Sequence, residues 1–157
     1  MNGIILFATI LLLGAISNKP ARFENAGERE EILKAAQSLF DAMVARDTTQ
    51  LRQTFTADGR FISTWMRNGK PVTRNLSVTD FSKMVVATKE PYRERMFEPQ
   101  VLVEGDVAVV WGKYDFHVGT KLTNCGINAV QMVHTADGWK ISQVTSTINT
   151  EGCIEHE

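Results

Sequence analysis

Tyr114, Asp115 and His117 place a phenol, a carboxylate and an imidazole within four consecutive positions. Isomerases, dehydratases and cyclases use such groups: Asp115 or His117 as the base, and the Tyr114 hydroxyl as a donor to a developing oxyanion. If the stretch is a strand, alternation puts Asp115 and His117 on one face and Tyr114 on the other, so one pocket holds all three only across a bulge. A second set, Trp65, Asn128, Gln143 and Thr145, offers an indole, two amides and a hydroxyl. These groups hold and orient a ligand but do not abstract protons.

Other chemistry finds little support. His117, His134 and His156 lack the spacing of metal ligands, and there is no glycine-rich phosphate loop and no nucleophile elbow. Neither metal nor cofactor is expected. Arg93 and Arg95 suit an anion, or simply a solvated loop. Cys125 and Cys153 lack a C-x-x-C arrangement; they form a disulfide if the chain is exported, or two separate thiols otherwise.

Export is suggested by the N-terminus. Residues Ile4 to Ile16 are almost wholly apolar, Ala15 and Ser17 give a small-residue cleavage pattern, and Asn18-Lys19-Pro20 restores polarity. The run is shorter than the roughly 20 residues a membrane span needs. We expect a signal peptide over 1–17 cleaved near Ser17, a flexible segment over 18–27, one domain over 28–153 and a tail over 154–157. The location would be secreted or periplasmic in a bacterium, with no stable membrane span after cleavage; a retained anchor is the alternative. A formal net charge of −1 gives no field that would attract nucleic acid.

The elements that position these residues follow from periodicity. Ile32, Leu33, Ala36, Leu39, Phe40 and Met43 recur at helical steps behind an acidic first turn. Asp47 can cap a short second helix over Leu51 and Phe55, with Ala57-Asp58-Gly59 as the turn that ends it. Arg60 to Met66 reads as a strand, Asn68-Gly69 as a type I′ turn and Val72 to Arg74 as its return. Ser77 or Thr79 starts a helix that stops before Pro91. Residues 91–99 read as a loop or edge segment, followed by strands at 100–104, 107–117, 126–134 and 139–148. Helices first and a meander last describe an α+β layer.

Pairing His134 with Trp139 assigns the faces of the last hairpin. Asn128, Val130, Met132, Trp139, Ile141, Gln143 and Thr145 fall on the side meeting the helices, and Gln131, Val133, Val144 and Ser146 fall on the outer side. On this register the inward polar residues either bond one another or line a pocket. A one-residue slip would exchange the faces.

Phe55-Thr56-Ala57-Asp58-Gly59-Arg60-Phe61, Gly105-Asp106-Val107-Ala108-Val109-Val110-Trp111 and Asp137-Gly138-Trp139-Lys140-Ile141 resemble, in order and spacing, nuclear transport factor 2-like (SnoaL-like) domains. Tyr114 to His117, Cys125 to Asn128 and Glu151-Gly152-Cys153 resemble a bacterial exported branch sometimes labelled lumazine-binding-like. The resemblance implies a cone-shaped, strongly curved, mostly antiparallel sheet wrapped by about three helices, a cystatin-like roll with a cavity at its wide end. It also implies frequent homodimers through the outer sheet face. Ketosteroid isomerases of this superfamily carry an acid on the strand before the last turn, where Val130 and Met132 stand here. The leading expectation is therefore a domain binding a small apolar or aromatic molecule through Trp65, Tyr114, Asn128, Gln143 and Thr145. An enzyme using His117 or Asp115 and a non-catalytic dimerisation module are the alternatives.

Overall fold

The structure, a computed structural model, describes residues 26–154, so the apolar leader and His156 lie outside the described residues. Helix α1 (Ala26–Ala45) is followed by α2 (Thr48–Gln53), strands β1 (Phe55–Arg67) and β2 (Lys70–Ser77), and helix α3 (Val78–Ala87). Strands β3 (Tyr92–Glu104), β4 (Val107–Val118), β5 (Lys121–Thr135) and β6 (Gly138–Thr147) complete the chain. They form one open six-stranded sheet in the order β2-β1-β6-β5-β4-β3. All neighbours are antiparallel except β1 and β6, which run parallel.

The concave face is closed by α1 and α3. Ile32, Ala36, Leu39, Phe40 and Met43 form the buried stripe of α1 and pack with Ala108, Val110, Val130, Met132 and Ile141 of the sheet. Burying such side chains contributes about 1.5–3 kcal/mol each. Asp47 caps α2, its Oδ1 accepting from the amides of Thr49 and Gln50 at 2.9 Å each. Arg46 takes a left-handed φ of 57° between the two helices. Its guanidinium donates to the carbonyls of Val86, Thr88 and Lys89, which ties the α1–α2 junction to the end of α3. Asn68 and Gly69, at φ 52° and 71°, make the tight β1–β2 turn that their sequence demands.

Three segments depart from the sequence expectation. Ala57-Asp58-Gly59 is not a turn after α2 but an irregular part of β1, where the pairing with β6 jumps between Phe55 and Arg60. Residues 92–99, read as a loop or edge segment, are the edge: they extend the strand expected at 100–104 back to Tyr92 as edge strand β3, with an irregularity at Phe97–Gln100. In the last hairpin His134 does pair with Trp139, but the register shifts between Gln131 and Met132, leaving Ser142 as the extra residue on β6. Beyond that bulge every face of β6 is exchanged. Val144 and Ser146 point inward, and Gln143 and Thr145 point outward.

Past β6 the chain crosses the end of β5. Cys125 exchanges backbone bonds with Asn149 at 3.0 and 2.8 Å, and Cys125 and Cys153 form a disulfide. Gly126 permits this crossing, because a Cβ there would lie 2.0 Å from the Thr147 carbonyl oxygen.

Candidate active site in the cone

A cavity of about 200 Å³ opens between the concave face and helices α1 and α3. Its volume exceeds that of engineered apolar cavities of about 150 Å³ that hold benzene. Leu39 and Met43 of α1 and Phe81 and Met84 of α3 form one wall, and Phe61, Tyr92, Phe116 and Val144 form much of the other. The rings run in sequence around it, Phe61 to Phe81 at 4.2 Å between centroids, Phe81 to Tyr92 at 6.3 Å and Tyr92 to Phe116 at 5.1 Å, with Phe55 behind Phe61 at 5.0 Å. Such spacing adds modest ring–ring attraction to the burial and shapes an apolar slot.

Glu94 opens into this slot from β3. It faces inward because it pairs with Phe116, another lining residue, while its neighbours Arg93 and Arg95 pair with His117 and Asp115 on the outer face. Its Oε1 accepts a short hydrogen bond from Nδ2 of Asn128, whose Oδ1 in turn accepts from the Ser146 hydroxyl at 2.7 Å. Among the described residues the carboxyl receives no other hydrogen bond, so Oε2 remains for whatever occupies the cavity. Burial pushes the Glu94 carboxyl up from 4.5 to about 7; the Asn128 bond pulls against it, and the nearby Asp115 charge adds to the rise. A carboxyl so placed is present in both protonation states near neutral pH, the condition under which it can accept and return a proton.

Tyr114 also lines the cavity, with its hydroxyl 3.0 Å from Asn124 Oδ1 and 2.9 Å from the Thr147 carbonyl. One phenolic proton serves two acceptors within the protein. Burial, with Glu94 nearby, holds this hydroxyl protonated well above the usual tyrosine range. Tyr114 is thus a wall and a brace for the crossing segment rather than a donor aimed into the cavity. Arg74 of β2 and Ser63 of β1 also line the cavity, and among the described residues they carry no such ties.

The expected site residues divide between the two faces. Asn128 is fully buried on the concave side and holds Glu94. Gln143 and Thr145, displaced by the Ser142 bulge, pair with Gln131 and Ala129 on the outer side, where Gln143 Nε2 donates to Thr145 Oγ1 at 2.8 Å. They cannot reach the cone. Trp65 shares the face of Phe61 and Ser63 but lies on the hairpin beyond the last β1–β6 pair, Thr64 with Thr147, and lines no part of the cavity. Asp115 and His117 also lie on the outer side of β4, opposite Tyr114 and Phe116 as alternation requires. Asp115 is fully buried and clamped by Arg95, with Nε at 3.1 Å and Nη2 at 2.6 Å; His117 Nδ1 lies 3.5 Å away from the same carboxylate. No bulge brings them to the cavity. Glu94 itself lay hidden in the segment read as loop or edge, and only a strand assignment there would have exposed its inward parity.

The description of the SnoaL-like domain matches residues 24–145. The chain belongs to the SnoaL-like domain family. No curated protein matches it in sequence. Among solved structures, this SnoaL-like domain is similar to a Nostoc punctiforme protein of unknown function with a cystatin-like fold, at 11% identity and a TM-score of 0.63, covering 81% of this chain and 95% of that one. An NTF2-like protein with a cystatin-like fold from Novosphingobium aromaticivorans has the same TM-score at 15% identity, covering 81% and 84%. A Streptomyces avermitilis protein of the NTF2-like family, named provisionally as a dehydratase, gives 0.57 at 17% identity, covering 76% and 94%. At these identities the structures share the fold, and the function rests on the site itself.

Proposed function

We propose that this SnoaL-like domain binds a small aromatic or aliphatic molecule in its cone and moves a proton on it through Glu94. The observation that carries this reading is one inward carboxyl, poised near neutral pH by burial, in a slot walled mainly by rings and aliphatic side chains. Asn128 fixes the direction of Oε1, and Oε2 meets the ligand. The chemistry such a group supports is abstraction of a proton next to a carbonyl, or loss of water from a hydroxylated carbon, with Glu94 as base and then acid. The provisional dehydratase name of a structural neighbour agrees in reaction class.

The test requires no identified substrate. Acetophenone and phenylacetone in D2O exchange their α-protons slowly, and NMR follows the loss of proton signal. The protein should accelerate this exchange over buffer, Glu94→Gln should lower the acceleration by about 10²–10⁴-fold, and His117→Gln should leave it intact. Exchange no faster than buffer, or undiminished in Glu94→Gln, sinks the reading.

Two further features belong to the same proposal. Leu102, Val107 and Trp111 project from the outer sheet face at 70%, 59% and 48% exposure, an apolar surface suited to a homodimer. The Cys125–Cys153 bridge, together with the apolar leader, supports an oxidising destination, secreted or periplasmic.

A further inference from the structure

A polar row crosses the concave face one strand at a time. Arg74 of β2 pairs with Ser63 of β1, Ser63 with Ser146 of β6, and Ser146 with Asn128 of β5, which holds Glu94. Ser146 and Asn128 are bound to one another, and Asn128 to Glu94. Arg74 and Ser63 differ: both line the cavity, and among the described residues neither side chain makes a hydrogen bond or ion pair. Arg74 is solvent-exposed, so its guanidinium stands at the rim, while Glu94 lies deeper on the far side of the row. These two are the charged or titratable groups of the lining other than the tyrosines.

We propose that the ligand is a small organic acid, a monocarboxylate with an apolar or aromatic body, whose carboxylate is held at the rim by Arg74 and Ser63. This deepens the reading above and rests on the cone being the binding site. Three observations support it. A guanidinium without an internal partner offers a planar pair of N–H groups that match a carboxylate, and the Ser63 hydroxyl adds a third donor beside it. One cation calls for one negative charge. Strands lie about 4.8 Å apart, so three steps separate β2 from β5 by roughly 14 Å along the sheet. Part of that span is taken up by the reach of the arginine, which leaves room for a single ring and a short chain between its carboxylate and Glu94. The cavity of about 200 Å³ sets the same limit.

Matched acids and amides test it, because each pair has the same shape and differs in charge. Binding of benzoate, benzamide, 3-phenylpropanoate and 3-phenylpropanamide is measured by calorimetry on the full-length protein at pH 6. The acids should bind about tenfold more tightly than their amides, the scale of one charged hydrogen-bond pair at a partly exposed site. Arg74→Gln should abolish that preference by weakening the acids much more than the amides, and Arg74→Lys should restore part of it. Inorganic phosphate, which carries charge without an apolar body, should fail to displace the acid. Equal binding of acid and amide, a preference that survives Arg74→Gln, displacement by phosphate, or no binding of either member of a pair each overturns the proposal. The deuterium-exchange assay separates the two ideas: exchange without acid preference removes only the role of Arg74, and acid preference without exchange removes only the chemistry of Glu94.

Discussion

Glu94→Gln should make the protein more stable at pH 8 and change it little at pH 4.5. In the unfolded chain this carboxyl ionises near 4.5, whereas in the fold burial holds it protonated up to about 7. Between those values the unfolded state gives up its proton first, so stability falls as pH rises through the window, and the contribution of this one group is fully lost above it. The displacement corresponds to about 3 kcal/mol by pH 8, as an upper figure, since each pH unit of separation carries about 1.4 kcal/mol. Glutamine keeps an oxygen to accept from Asn128 and carries no charge, so the variant should lack this slope. Urea unfolding of both proteins at pH 4.5, 6 and 8 gives the difference directly, and subtracting the two curves cancels every other titrating group. A difference that stays flat across the window, or stability of the natural protein that rises relative to the variant, would refute the burial argument.

Other consequences follow from particular contacts. Val144→Asp should cost about 4 kcal/mol or more in urea unfolding, because position 144 is 3% exposed and faces the core, whereas Gln143→Asp should cost under about 1 kcal/mol; the reverse order would mean that the Ser142 bulge is misplaced. Cys125→Ser with Cys153→Ser opens a loop of 28 residues and should lower stability by about 3–4 kcal/mol on chain-entropy grounds, read against the oxidised protein by calorimetry. Gly126→Ala drives a methyl group into the Thr147 carbonyl and should cost about 1–3 kcal/mol, with a shifted Tyr114 hydroxyl environment in NMR.

Much of the architecture was legible because helical period, alternation and turn chemistry agree over long stretches. The α1 stripe, the Asp47 and Ser77 caps and the Asn68-Gly69 turn are each specified locally, and the structure contains all of them. Opposite faces for Tyr114 and for Asp115 with His117 also follow from alternation alone. The site was less legible, for two physical reasons. One extra residue at Ser142 exchanges the faces of β6, and no residue type there announces a bulge, so plain alternation puts Gln143 and Thr145 inside and Val144 and Ser146 outside. The second reason is Glu94, set among arginines and prolines that read as a loop or edge segment. Its inward direction depends on pairing with β4, a contact between strands that local sequence does not encode. Asn128 reads in the sequence as an inward amide requiring partners, and in the fold those partners are the Glu94 carboxyl and the Ser146 hydroxyl.

The measurement that bears most directly on the central claim is a carbon-13 NMR titration of the Glu94 side-chain carboxyl, assigned by its loss in Glu94→Gln. A midpoint near 7, moved by addition of a cone ligand, is the expected result. A midpoint in the ordinary glutamate range, unmoved by any ligand, would contradict the account.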